Sequence, residues 1–131
     1  MNQIGRILIG AVFAYMGFYK ILNWGATAGW MAMKGLPFIP VLLAGAIIVE
    51  LGGGIMLMLG KQTKLVSILI ALFLIPTNLI FHNFWAMPPE QAASEFLSFL
   101  QNIAIIGGLL AVSVKQEKAL QKQSNMKASN Y

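Results

Sequence analysis

Glu50 is the residue best placed to do chemistry, because of what surrounds it. It sits midway along an otherwise apolar run from Pro40 to Gly60, a length that can cross a bilayer as a helix. A lone carboxylate at that depth costs about 2.5–3.5 kcal/mol on insertion scales. It must therefore stay protonated or find a partner. Intramembrane carboxylates so often mark ligand or proton sites that Glu50 is a candidate for both ligand binding and proton exchange. A neutral carboxyl bonded to a neighbouring helix is the plainer alternative.

Lys20 is the expected partner. It closes an apolar run from Ile7 to Leu22 that crosses in the opposite direction. At 1.5 Å rise per residue, the two residues differ in depth by a turn or less, within reach of a lysine side chain. The plainer fate for Lys20 is to extend outward to water. His82, the only histidine, ends a third apolar run, Leu65 to Phe81, and shares a helix face with Asn78 four residues earlier. Gln101 and Asn102 enter the fourth run, Phe96 to Val114, at a similar depth. Lys20, Glu50, Asn78 with His82, and Asn102 thus converge on the outer half of the spans, and the inner half offers nothing comparable. Polar residues that merely hold helices together would produce part of the same pattern.

Counting removes other chemistries. With no cysteine, disulfides, thiolate-bound zinc and iron–sulfur clusters are excluded. One histidine and one buried glutamate fall short of the three or four ligands a metal needs, so no metal site is expected. Bis-histidine haem and an aspartate-containing triad cannot be built. Gly52-Gly53-Gly54 lies inside a span, where it permits close packing or a kink rather than forming a phosphate loop, and Gly107-Gly108 reads the same way. The net charge of +5 invites a nucleic-acid reading. The basic residues flank apolar runs, however, so membrane orientation explains them and no nucleic acid is expected.

The elements that must position these groups follow from hydropathy. The 131 residues are 58% hydrophobic and 10% charged, with a mean hydropathy of +0.74. Soluble domains carry roughly 25% charged residues. None of the four runs alternates with period two, and only helices satisfy a backbone in lipid without forming a closed barrel. The predicted fold is an all-α, integral membrane four-helix bundle, residues 1–114, with spans at about 6–23, 39–60, 64–82 and 95–114. A short interfacial helix, Ala26 to Lys34, lies between the first two spans and is stopped by Gly35 and Pro37. Gly60 suits a helix C-terminus and Thr63 the next N-cap; Pro88-Pro89-Glu90 reads as a helix start. Arg6, Lys61, Lys64, Lys115, Lys118, Lys122 and Lys127 fall on one side, against Lys20 and Lys34 on the other. Both termini are therefore expected in the cytoplasm. Residues 115–131 form a polar cytoplasmic tail, expected to fray after Gln123, whose lysines can meet anionic lipid. Ala26-Thr27-Ala28 mimics a signal-peptide cleavage site, but Lys20 and Trp24 precede it, and the first run is read as a retained span.

With these residues assembled, the chain resembles the DoxX family of small bacterial and archaeal four-span membrane proteins. The resemblance covers about Gly5 to Leu110. It rests on Arg6, Gly17-Phe18-Tyr19-Lys20, Gly35-Leu36-Pro37, Glu50-Leu51-Gly52-Gly53, Gly60, His82-Asn83-Phe84-Trp85, and Phe99-Leu100-Gln101-Asn102 with Gly107-Gly108. It implies a bacterial inner-membrane protein tied to respiratory or sulfur redox chemistry, and carries an oxidoreductase label. The chain offers no redox centre of its own, so electron transfer would need a bound quinone or a redox protein partner. The reading favoured is an outer-half cavity holding a lipophilic ligand such as a quinone. His82 and Asn102 would bond its oxygens, Trp85 or Tyr19 would stack on its ring, and Lys20, Glu50 and Asn78 would complete the polar lining. Glu50 and His82 would exchange protons if turnover occurs. The rival is a non-catalytic structural or assembly subunit of a larger complex. A proton or solute pathway would require a homo-oligomer, because one small bundle has little room for a pore.

Overall fold

In the computed structural model, which describes residues 2–131, five helices account for nearly all of the chain. Helix α1 spans Asn2–Leu22 and the short α2 spans Trp24–Met33. Helix α3 covers Ile39–Leu59 and contains one widened π turn at Ile48–Gly52. Helix α4 is Thr63–Phe81; a single 3-10 turn at Phe84–Ala86 leads to α5, Pro89–Ser129. Four of these, all but α2, are long and apolar enough to cross a membrane. No strand occurs among the described residues. The all-helical four-span fold expected from hydropathy is the fold observed.

The apolar periodicity determines which faces meet. Phe13, Leu57, Val66, Ile70, Ala71, Leu74 and Leu109 form one buried cluster shared by α1, α3, α4 and α5. Large apolar residues on the opposite faces, such as Leu8, Val41, Leu69 and Leu110, remain exposed, as a lipid-facing surface allows. The closest backbone approach is between α1 and α3. A Cβ on Gly10 would lie 2.6 Å from the Gly54 carbonyl oxygen, and one on Gly54 would collide with the Ala14 backbone. Small residues permit this contact, and in lipid, where apolar burial drives little association, such close packing holds helices together.

The junctions show where local chemistry agrees with the sequence and where it does not. Gly60 adopts φ 73 and closes α3 with its N–H on the Leu57 carbonyl, the left-handed ending that glycine permits. The cap of α4 is Gln62 rather than Thr63. Gln62 takes φ 50 and makes no side-chain cap bond, and Thr63 has moved inside the first turn, buried at 1% exposure. Pro88 and Pro89 start α5 as expected. That helix does not fray after Gln123; it continues to Ser129 for 41 residues, about 60 Å, twice the thickness of the hydrocarbon. Its last third is rich in Lys, Gln and Ala, which favour helix, and Lys64 on α4 meets Glu117 at 2.9 Å. Gly107 also departs from expectation. A Cβ there would meet open space and one on Gly108 only ordinary contact with Ile9, so this pair does not mediate a tight crossing.

Two substitutions separate these glycine roles. Gly54→Leu should cost about 3 kcal/mol by overpacking and depress thermal unfolding in detergent. Gly107→Ala should leave stability unchanged or raise it by up to ~1 kcal/mol through helix propensity.

Candidate functional site

Glu50 stands in the middle of the π turn of α3, with the β-branched Ile47, Ile48 and Val49 before it and three glycines after it. Such single widened turns recur at functional sites. The carboxyl group is buried at 2% exposure and accepts a 2.7 Å hydrogen bond from Lys20 Nζ, whose side chain is 22% exposed. The partnership expected from depth is therefore realised. It answers the charge problem of both residues and joins α1 to α3.

A cavity of about 370 Å³ opens beside this pair, bounded by α1, α2, α3 and α4, with Asn102 reaching it from α5. Its size falls within the usual range for small-molecule pockets. Lys20, Glu50, His82 and Asn102 supply most of its polar lining, with the Thr27 and Thr77 side chains. The rest of the lining is apolar and aromatic. Pro76 belongs to it; having no N–H, Pro76 cannot bond the carbonyl one turn back. The neighbouring Thr77 hydroxyl donates to the Phe73 carbonyl at 2.8 Å, and both residues also face the cavity.

The structure divides the sequence candidates. Lys20, Glu50, His82 and Asn102 border one cavity. Asn78 does not. It is buried at 3%, donates to the Phe99 carbonyl at 3.2 Å and accepts from Asn102 Nδ2 at 3.0 Å, so it braces α4 against α5 and orients Asn102. Tyr19 and Trp85 also lie off the cavity. Tyr19 is half exposed beside Tyr15, and Trp85 packs edge-on against Phe84 and Phe99. The aromatic pair that does border it is Trp30 and Phe81, with ring centroids 4.7 Å apart. Trp30 stands on the short helix α2, which is apolar nearly all round, so no face of it marked Trp30 out in the sequence.

Glu95 is a further residue the sequence did not single out for the site. Its Oε2 lies 2.7 Å from His82 Nδ1. Next to it Lys34 Nζ donates to Asn83 Oδ1 at 3.1 Å, tying the end of α2 to the end of α4. The opposite half of the bundle is also less bare than its composition suggests. Thr63 and Ser67 are buried, and their hydroxyls, like Arg6 Nε, lack hydrogen-bond partners among the described residues. Serine and threonine read as small residues in an apolar run, which hid them. Among the described residues no three His, Asp or Glu side chains gather as metal ligands would.

The ion pair yields a direct test. Lys20→Met alone leaves a buried carboxylate unpaired and should destabilise the bundle by ~3–5 kcal/mol. Lys20→Met with Glu50→Leu should recover most of that loss, because both charges leave together. Denaturant unfolding in mixed micelles across the double-mutant cycle measures both.

Comparison with known proteins gives the chain its relatives. The sequence model of the DoxX family matches residues 1–83, from α1 through the end of α4. Inner membrane protein YphA of Escherichia coli (strain K12) is 26% identical over 111 residues, covering 85% of this chain and 79% of that protein. Inner membrane protein YqjF of the same strain is 31% identical over 111 residues, with 85% and 80% covered. A Surfeit locus protein 4 homolog of Drosophila melanogaster is 25% identical over 114 residues, 86% of this chain but 36% of that protein. No solved structure matches. The family model covers well over half of its length, and the chain belongs to the DoxX family.

Proposed function

We propose that this protein resides in a bacterial inner membrane, where it binds a lipophilic molecule of the quinone class in the cavity beside Lys20 and Glu50 and serves a membrane redox system. The cavity itself is the observation that carries the reading: a largely apolar hollow whose lining includes a buried ion pair, an imidazole and an amide. A quinone complements such a lining with a flat apolar ring and hydrogen-bonding oxygens. The two inner-membrane relatives support the location. The Lys/Arg asymmetry supports both termini in the cytoplasm, with residues 1–114 forming the membrane domain and 115–131 continuing α5 into water.

Each residue has a definite task in this reading. Lys20 donates to Glu50 and keeps further N–H donors for a ligand oxygen. Asn102, oriented by Asn78, offers an amide. Trp30 and Phe81 enclose the ring, taking the part that Tyr19 and Trp85 cannot take from their positions. Glu50 and His82 are the groups able to hold or release a proton beside the ligand. A bound quinone would supply the electron chemistry that the protein lacks. The assembly-subunit reading explains the Asn78–Asn102 brace but leaves the cavity without a purpose.

Gently purified protein should yield a near-stoichiometric quinone in mass spectrometry of its organic extract. A short-chain quinone should raise the melting temperature of the wild type and do so less for Asn102→Leu. An extract without any lipophile, together with no thermal protection, overturns the reading in favour of the assembly subunit.

A further inference from the structure

His82 is held at both ends of its residue. Its backbone N–H bonds the Asn78 carbonyl at 3.0 Å, closing α4, and its Nδ1 meets Glu95 Oε2 of α5 at 2.7 Å. His82 borders the cavity and Glu95 does not. The carboxylate thus holds the imidazole from outside the set of residues that line the cavity. The other ring nitrogen, Nε2, has no hydrogen-bond partner among the described residues.

A neutral imidazole carries one N–H, and a carboxylate only accepts. The nitrogen facing Glu95 must then hold the hydrogen, and the nitrogen left free is an acceptor. We propose that Glu95 is a positioning residue that fixes His82 Nε2 as a hydrogen-bond acceptor, so that the cavity favours the hydroxyl-bearing, reduced form of its ligand over the carbonyl form. This rests on the lipophilic-ligand reading given above and specifies which redox form the site retains. A hydroquinone hydroxyl can donate to Nε2, whereas a quinone carbonyl sets a lone pair against a lone pair. Lys20 and Asn102 discriminate less, since their donors suit the oxygen of either form.

A protonated imidazole would donate from Nε2 and suit the carbonyl instead. The charged groups near the ring are few. Glu95 faces it from α5, the Lys20–Glu50 pair lines the same cavity from α1 and α3, and Lys34, just after α2, is held by Asn83. The selectivity for the reduced ligand therefore belongs to the neutral imidazole.

The single histidine makes the tautomer readable by NMR of isotope-labelled protein. At alkaline pH the wild type should show the hydrogen on Nδ1, and Glu95→Gln, whose amide can donate or accept, should show a mixture. In parallel, a short-chain benzoquinone and its hydroquinone are titrated anaerobically. The wild type should bind the hydroquinone roughly tenfold tighter, the cost of one unmet hydrogen bond in a buried site. Glu95→Gln should bring the two affinities to within about threefold, mainly by weakening the hydroquinone. A hydrogen on Nε2 in the wild type, tighter binding of the quinone, or unchanged selectivity in Glu95→Gln overturns the inference alone. Binding of neither form to the wild type overturns the ligand reading and this inference with it. The wild-type tautomer and affinity ratio decide the matter even where the variant does not fold.

Discussion

A carboxyl group at the depth of a membrane core must be neutralised or paired, and the pairing of Glu50 with Lys20 organises this bundle. The Lys20–Glu50 pair fixes the register of α1 against α3. Two bare glycine faces, Gly10 and Gly54, let the helices come close enough for the register to hold. Apolar packing alone would specify it poorly, because in hydrocarbon one apolar face suits another about equally well. The pair also keeps space open. A buried charge pair tolerates a polar neighbour that an aliphatic core would exclude, and the cavity lies directly beside it.

What the sequence made legible were the features with long-range physical consequences. Hydropathy read the four spans, because lipid imposes one length and one backbone solution. The depth of Glu50 pointed to Lys20, because an isolated charge leaves few alternatives. Rotation about the helix axis was harder to read. Tyr19 is next to Lys20 in sequence, but successive residues point about 100° apart on a helix, and Tyr19 consequently faces outward. Trp85 follows His82 closely, yet the chain has already turned away in the 3-10 segment Phe84–Ala86. The aromatic pair that encloses the cavity, Trp30 with Phe81, joins residues from helices far apart in the chain. The Glu95–His82 contact likewise depends on how α4 and α5 fold back on each other. The π turn around Glu50 had no pattern to announce it.

Along α4 the buried face changes character twice. Thr63 and Ser67 are polar, Ile70, Ala71 and Leu74 are apolar, and Asn78 and His82 are polar again. Helix α5 repeats the order in reverse, from Asn102 through Leu109 to Ser113. Phe13 and Leu57 complete the apolar layer from α1 and α3, each at 1% exposure. That layer separates the polar groups at the two ends of the bundle.

The layer bears on what a single chain can do. A proton or solute crossing one bundle would have to pass Phe13, Leu57, Ile70 and Leu109, none more than 1% exposed, with no hydrogen-bonding side chain among them. Ser67 is the last buried polar residue before this layer on α4 and Asn78 the next beyond it, eleven residues or about 16 Å along the helix. A dry gap of that kind needs several water molecules in line, each with polar partners, and this one provides none. The cavity borders this layer at Leu74, and Phe13, Leu57, Ile70 and Leu109 are not part of its lining. A hollow bounded in this way suits a ligand-binding site better than a conduit.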